Sequence, residues 1–204
     1  MDIYIEGLKY LILSIRLDII INQDQLFSYQ AHGLSHNCLS GGASMSVETN
    51  TTGATKVFLS YAYEDEKLKK QLLKHLSFLV RQGVIECWDV QKIRAGDKRD
   101  EEILKRLNEA NIILCLLSAS FIDSEFYTVE MKRALERQKL KEVQVVPILL
   151  RSVEWKKTPL GNLQAIPRAY NNKPIAEWPN KDRAFREVAR EIERIVEIVR
   201  RKNA

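Results

Sequence analysis

The sequence Ile112-Ile-Leu-Cys-Leu-Leu117 is a short run of apolar residues that ends at Ser118-Ala-Ser120. A run of this length without a polar residue is typical of a strand that is buried on both faces. Such strands occur in parallel sheets that helices cover from both sides. The run therefore predicts the central strand of an α/β domain, with Cys115 as a core residue.

Alternating strands and helices are predicted on both sides of this run. The further strands are 56–60, 84–88 and 143–150, and apolar residues three and four apart place helices at 66–82, 98–108, 124–140 and 182–201. The inward face of the first helix is predicted to include Leu72, Leu76 and Val80. Strands that alternate with helices form βαβ units, so we expect a mainly parallel central sheet flanked by helices over residues 55–202.

Residues 1–54 are interpreted as an N-terminal extension and linker of unknown role. Residues 35–55 are rich in Ser, Thr, Gly and Asn, and Met45 within them raises the hypothesis that translation starts there. Arg16 and Asp18 interrupt the apolar stretch 11–21, which is shorter than a membrane span. No basic region of a signal peptide precedes it. We therefore expect a cytoplasmic protein without membrane insertion.

The composition is that of a globular protein with one principal core, since 45% of the 204 residues are hydrophobic and 29% are charged. The net charge is +5 at pH 7, and charge alone does not choose among anionic partners. Nucleic-acid binding is the weakest interpretation, because no basic motif is interleaved with aromatic residues. Three cysteines without metal-type spacing favour a reducing compartment, and we expect no metal site.

Several common enzyme motifs are missing from the sequence. No Gly-x-Gly-x-x-Gly follows the first strand, and the phosphate-binding Gly-x-x-x-x-Gly-Lys-Ser/Thr is also missing. No Gly-x-Ser-x-Gly nucleophile motif is present, and His75 lies in the middle of a predicted helix. These observations disfavour classical dehydrogenases, P-loop enzymes and Ser-His-Asp hydrolases. Ligands of open parallel sheets bind beyond the carboxyl ends of the strands, which indicates the loops after Ser60, Trp88 and Leu117.

Three separated segments resemble the TIR domain family in order and spacing. Val57-Phe-Leu-Ser-Tyr61 is similar to its first strand, and Trp88-Asp-Val-Gln-Lys-Ile-Arg-Ala-Gly96 is similar to its BB loop. Ser118-Ala-Ser-Phe-Ile-Asp-Ser-Glu-Phe-Tyr-Thr-Val-Glu130 resembles the start of its catalytic helix. The resemblance covers residues 55–200 and implies a flavodoxin-like three-layer fold.

Many TIR domains cleave the nicotinamide glycosidic bond of NAD with a glutamate, and the resemblance assigns this role to Glu130. It implies a substrate site formed by Ser60, Tyr61, Asp89, Lys92, Gly96 and Phe126. Phe126 and Tyr127 stand where the family usually has tryptophan and cysteine, which implies weaker stacking on the substrate. NAD would be a substrate, and no cofactor is expected.

One carboxylate can suffice for this chemistry, because nicotinamide leaves as a neutral molecule and needs no general acid. The transition state develops positive charge on the ribose, which a fixed carboxylate stabilises. The product, ADP-ribose or a cyclic isomer, stays open. The resemblance also implies self-association through TIR contacts, contacts with other TIR-containing or sensor proteins, and a role in immune or antiphage signalling. The alternative is a non-catalytic adaptor that acts through TIR–TIR interactions.

Overall fold

The computed structural model describes residues 53–203, without the side chains of residues 125–129 and 203. Four parallel strands form one sheet in the order β2-β1-β3-β4. The strands are β1 (Thr55–Ser60), β2 (Ile85–Trp88), β3 (Ile112–Leu117) and β4 (Gln144–Leu149). The predicted strands and the parallel sheet are therefore confirmed. Met45 and nearly all of the predicted N-terminal extension lie outside the described residues.

The helices lie close to their predicted positions. They are α1 (Glu66–Arg81), α2 (Arg99–Glu109), α3 (Ala119–Asp123), α4 (Glu125–Lys139) and α5 (Lys181–Asn203). Shorter helical turns occur at Tyr63–Asp65, Val90–Lys92, Pro159–Asn162 and Ile175–Glu177, and the turn at Ala169–Asn172 contains residues with left-handed backbone angles. Helix α3 was not predicted, because five residues are too short for a helical period. Its start is capped by the Ser118 hydroxyl, which accepts a hydrogen bond from the Phe121 amide at 3.1 Å.

Two apolar clusters cover the two faces of the sheet. One cluster joins α1 and α5 to the sheet, with Leu72 and Phe185 fully buried. The other joins α2, α3 and α4 to the opposite face, with Leu107 and Phe121 buried. All residues of β3 are buried, as the apolar run predicted. The described residues therefore form the expected three-layer α/β domain.

The predicted inward position of Val80 is wrong. Leu72, Leu76 and Leu79 of α1 are buried, whereas Val80 is 42% exposed. Each residue of an α-helix is rotated by about 100° from the previous one, so Val80 falls outside the buried stripe. Gly83 adopts the left-handed conformation, with φ of +67°, just after this helix.

The strand order places a switch point between β1 and β3. The chain leaves β1 toward β2 on one side and later crosses to β3 on the other side. Ser60, the last residue of β1, is paired in register with Cys115 of β3. Loops that leave adjacent strands in opposite directions leave a crevice at the carboxyl edge of the sheet. The topology therefore makes this edge the place to look for a ligand site.

Candidate functional site

A buried carboxylate lies beside the end of β1. Glu130, in the second turn of α4, is 6% exposed, and Ser60 is 4% exposed. The Ser60 hydroxyl donates a hydrogen bond to Oε2 of Glu130. The sequence predicted both residues for the site, and the fold brings them into direct contact.

The environment of Glu130 changes its acidity. Burial raises the pKa of Glu130 to about 7, although the hydrogen bond from Ser60 and the charge of Arg99 lower it. Burial disfavours the charged form because the protein interior solvates a carboxylate poorly. Burial raises the pKa of the Cys115 thiol, and the negative charge of the Glu130 carboxylate raises it further. Glu130 therefore changes its charge near neutral pH, as catalytic groups commonly do.

Tyr61 and Asp89 both contact Lys69, a residue that lies in no recognisable sequence motif. Lys69 of α1 is 2% exposed, and its ammonium group lies 3.1 Å from the Tyr61 hydroxyl and 3.2 Å from Oδ2 of Asp89. The other oxygen of Asp89 accepts a hydrogen bond from the Gln91 amide at 2.9 Å. Both carboxylate oxygens of Asp89 are therefore engaged by groups of the protein itself. Asp89 also caps the start of the turn Val90–Lys92.

A cleft of about 560 Å³ opens at the carboxyl edge of the sheet. Residues from all three predicted loops line it, together with the first residue of α2; they are Tyr61, Ala62, Tyr63, Glu64, Val90, Gln91, Arg99, Ser120, Asp123 and Ser124. The Glu130 side chain is not among the described side chains that line this cleft. It lies six residues beyond Ser124, in the second turn of α4, and close enough to Arg99 for that charge to lower its pKa.

Lys92 and Gly96 lie away from this cleft. Both line a separate groove of about 800 Å³ between the loop after β2 and helix α2. The Lys92 ammonium group donates a hydrogen bond to the backbone carbonyl of Cys87. Gly96 has a φ of +97°, a conformation that favours glycine and so explains this residue at the end of the loop. A substrate contact for either residue stays a prediction.

The Phe126 side chain lies outside the described part of the structure, so its predicted stacking role also stays a prediction. The residues that sequence reasoning missed are Lys69, Gln91 and Arg99. Glu66 and Lys69 are three residues apart, a spacing that allows an ion pair within a helix, and the structure contains this pair at 3.1 Å. Lys69 reaches the loops after β1 and β2 only because α1 packs against the sheet, and this packing is not visible in the spacing of residues within α1.

The described residues provide neither a cluster of metal-ligating side chains nor a helix able to cross a membrane. Among the side chains that the structure describes within residues 53–203, no three of His, Cys, Asp or Glu are grouped so that they could hold a metal ion. None of the helices in this range combines the length and the apolar character that crossing a bilayer requires.

Comparison with protein families finds a match to the model of the TIR domain over residues 57–187. The uncharacterized protein y4lF of Sinorhizobium fredii (strain NBRC 101917 / NGR234) is 47% identical over 137 residues. These residues are 67% of this chain and 42% of that relative, so the chain spans less than half of the relative's length.

Two solved structures match about two thirds of this chain. The TIR domains of the activated Roq1 resistosome, which directly recognizes the pathogen effector XopQ, share 17% identity and a TM-score of 0.52. That match covers 68% of this chain and 99% of the other. The second is the crystal structure of the TIR domain of the Toll-related receptor TRR-2 from Hydra magnipapillata, with 21% identity and a TM-score of 0.48. That match covers 69% of this chain and 97% of the other.

Proposed function

This chain belongs to the TIR domain family, and on that premise we propose that it cleaves NAD at the bond between nicotinamide and ribose. The observation that supports the proposal is the buried Glu130 carboxylate beside Ser60 at the switch point of the sheet. Glu130 is the residue that the resemblance selects as catalytic. With its pKa raised to about 7, a large fraction of the Glu130 carboxyl groups is ionised at neutral pH, as the proposal requires.

In this proposal, ionised Glu130 stabilises the positive charge that develops on the ribose as the glycosidic bond breaks. Charge stabilisation is stronger in a buried site than in water, because the effective dielectric constant is lower. The Ser60 hydroxyl donates a hydrogen bond to the carboxylate and so holds the group in one orientation. Since the charge exists only as the bond breaks, the carboxylate favours the transition state over the bound substrate.

The electrons of the breaking bond leave with nicotinamide, which departs as a neutral molecule. Water then adds to the ribosyl cation and releases a proton, which gives ADP-ribose. If a nitrogen of the adenine adds instead and the adenine loses a proton, the product is a cyclic ADP-ribose, which contains one water fewer than ADP-ribose. Neither route needs a metal or a redox cofactor, and NAD itself is the substrate.

Regulation by self-association belongs to the same proposal. Glu130 is 6% exposed, so the ribose can reach it only after neighbouring groups move. Contacts between copies through the loop Trp88–Gly96 would supply this change and make activity depend on assembly. Other TIR-containing or sensor proteins would supply the activating contact, in immune or antiphage signalling in the cytoplasm.

A non-catalytic adaptor is the second candidate, and one observation favours it. The described lining of the cleft includes Tyr61 and Arg99 but does not include Glu130. If the carboxylate never reaches a ligand, the cleft and the loop Trp88–Gly96 serve only as contact surfaces for other TIR domains.

Nicotinamide release separates the two functions. The purified full chain, both in solution and clustered on beads, is incubated with NAD, and the products are separated by chromatography. We expect release by the wild-type protein and a loss of two to three powers of ten in rate for Glu130→Gln, on the order of 3 to 4 kcal/mol.

A matched control is Glu136→Gln, in the same helix. The Glu136 side chain is 43% exposed and lies 3.9 Å from Arg133 in a surface ion pair, so its removal should leave the rate unchanged. Equal release by wild type and Glu130→Gln would exclude the catalytic assignment. No release by the clustered wild-type protein would favour the adaptor.

A further inference from the structure

Lys69 is a buried cation that four oxygen atoms surround. Its Nζ lies 3.1 Å from the Tyr61 hydroxyl, 3.1 Å from Oε2 of Glu66, 3.2 Å from Oδ2 of Asp89 and 3.2 Å from Oε1 of Gln91. The side chain of Lys69 is 2% exposed, and that of Asp89 is 6% exposed. An ammonium group has three donors, so all of them can be used within this cluster.

The free-energy cost of burying the Lys69 charge favours keeping its contact groups together. A buried ammonium group is stable only when opposite charges and hydrogen bonds replace its water. Two carboxylates, Glu66 and Asp89, supply the charge, and Tyr61 and Gln91 complete the contacts. If any of these groups moved away, Lys69 would lose an interaction that water does not replace.

The cluster joins two sides of the cleft. Tyr61 belongs to the loop after β1, while Asp89 and Gln91 belong to the loop after β2. Tyr61 and Gln91 also line the cleft directly. Since Lys69 lies in α1, which packs on the sheet, it ties both loops to a rigid element.

We propose that Lys69 is a positioning residue that holds the loops after β1 and β2 at the spacing that the ligand of the cleft requires. For NAD as that ligand, the inference rests on the proposed function. Lys69 contacts no reacting atom in this scheme and acts through Tyr61 and Gln91. Its replacement should therefore weaken binding more than it slows bond cleavage at Glu130.

The chemistry of Tyr61 agrees with this role. Burial, Glu66 and Asp89 raise the pKa of Tyr61 well above its usual value, so the phenol stays neutral. The Lys69 ammonium group also lies 4.5 Å from the centre of the Tyr61 ring, within the range of a cation–π contact. Both the hydroxyl and the ring of Tyr61 are thus oriented by the same lysine.

Hydrogen exchange tests the positioning without a ligand. Lys69→Met alone leaves the buried Asp89 carboxylate without its cation, so the main variant is Lys69→Met/Asp89→Asn, compared with Asp89→Asn. We expect at least tenfold faster amide exchange in residues 61–63 and 90–93, with unchanged exchange in β1 and β3. Equal protection of these loops in the two proteins would overturn the inference.

The binding test uses proteins that also carry Glu130→Gln, so that NAD is not consumed. Titration calorimetry should give a Kd for NAD at least tenfold higher when Lys69→Met is added to Asp89→Asn. In proteins with an intact Glu130, we expect KM to rise by a similar factor with kcat changed less than threefold. A fall in kcat at constant KM would contradict the positioning role.

Lys70→Met is the matched control, because Lys70 neighbours Lys69 and also pairs with Glu66, at 3.0 Å, but its side chain is 65% exposed. It should change neither amide exchange in the loops nor the Kd for NAD.

If the Glu130→Gln parent binds no NAD and the wild type releases no nicotinamide, the proposed function fails. The exchange data then decide separately whether Lys69 positions the loops.

Discussion

The Ser60 hydroxyl donates a hydrogen bond to the Glu130 carboxylate, although 70 positions separate the two residues in the sequence. Ser60 ends β1 and Glu130 lies in α4, so the contact crosses from the sheet to the helix layer. Both side chains are buried, and the carboxyl group has a pKa near 7. The protonation state of the buried Glu130 therefore affects both the free energy of unfolding and the proposed activity.

Glu130→Gln should stabilise the protein at alkaline pH. The pKa of Glu130 is raised from an ordinary value of 4.5 to about 7. Between these values the native protein keeps a proton that the unfolded chain loses, so the free energy of unfolding falls as pH rises. A shift of this size costs the wild type up to about 3 kcal/mol above pH 7.

Urea unfolding at pH 8 and pH 5 measures this effect. Glutamine stays neutral, so the variant should be more stable than the wild type by up to about 3 kcal/mol at pH 8 and by less than about 1 kcal/mol at pH 5. A variant that is no more stable than wild type at pH 8 would show that the carboxyl group is not held in an apolar site.

Ser60→Ala should shift the pH dependence of nicotinamide release. The hydrogen bond from Ser60 lowers the pKa of Glu130, so its loss raises that pKa further. If the ionised carboxylate is the active form, activity rises with pH through the pKa. The midpoint should therefore move to higher pH, and the rate at pH 7 should fall roughly tenfold.

Ser118→Ala is the control for this experiment. Ser118 is buried at the end of the neighbouring strand, and its hydroxyl caps α3 at 3.1 Å from the Phe121 amide. Its loss should cost about 1 kcal/mol of stability and leave the midpoint unchanged. The same midpoint shift in both variants would mean that Ser60 has no specific effect on Glu130.

Arg151→Met should destabilise the loop after β1. Asp65 is 1% exposed, and its Oδ1 lies 2.7 Å from Nε of Arg151. Removal of the arginine leaves a buried carboxylate without its cation, which should cost about 2 kcal/mol in urea unfolding. Adding Asp65→Asn should restore part of this loss.

The surface pair of Arg194 and Glu191 provides the comparison. Their side chains lie 2.6 Å apart, and that of Arg194 is 70% exposed, so Arg194→Met should cost less than about 0.5 kcal/mol. Equal losses for Arg151→Met and Arg194→Met would contradict the importance of burial at Asp65.

The strands and most helices could be predicted because their apolar residues recur with the period of the element. Residues 112–117 are apolar at every position, and all of them are buried in β3. The apolar residues of α5 recur at three and four positions and cover one face of the sheet. Helix α3 lacked such a signal because a helix shorter than two turns shows no period.

The candidate site was predicted only in part. Ser60, Tyr61 and Glu130 follow from the ends of strands and from the resemblance, whereas Lys69 lies within α1 and has no motif around it. Asp89 was expected near the substrate, and the structure shows it bound to Lys69 and the Gln91 amide. Lys92 and Gly96 belong to the same loop, yet they line a different groove.

The sequence by itself determined the order of strands and helices along the chain and the parallel sheet, and it predicted the edge at which a site is expected. Hydrophobic period and the alternation of strands with helices are properties of short stretches of sequence. Only the tertiary structure decided that Glu130 is buried against Ser60 and that Lys69 joins two loops. These contacts join residues 70 and 20 positions apart. Their charge states depend on burial, which arises when the helices pack on the sheet and exclude water.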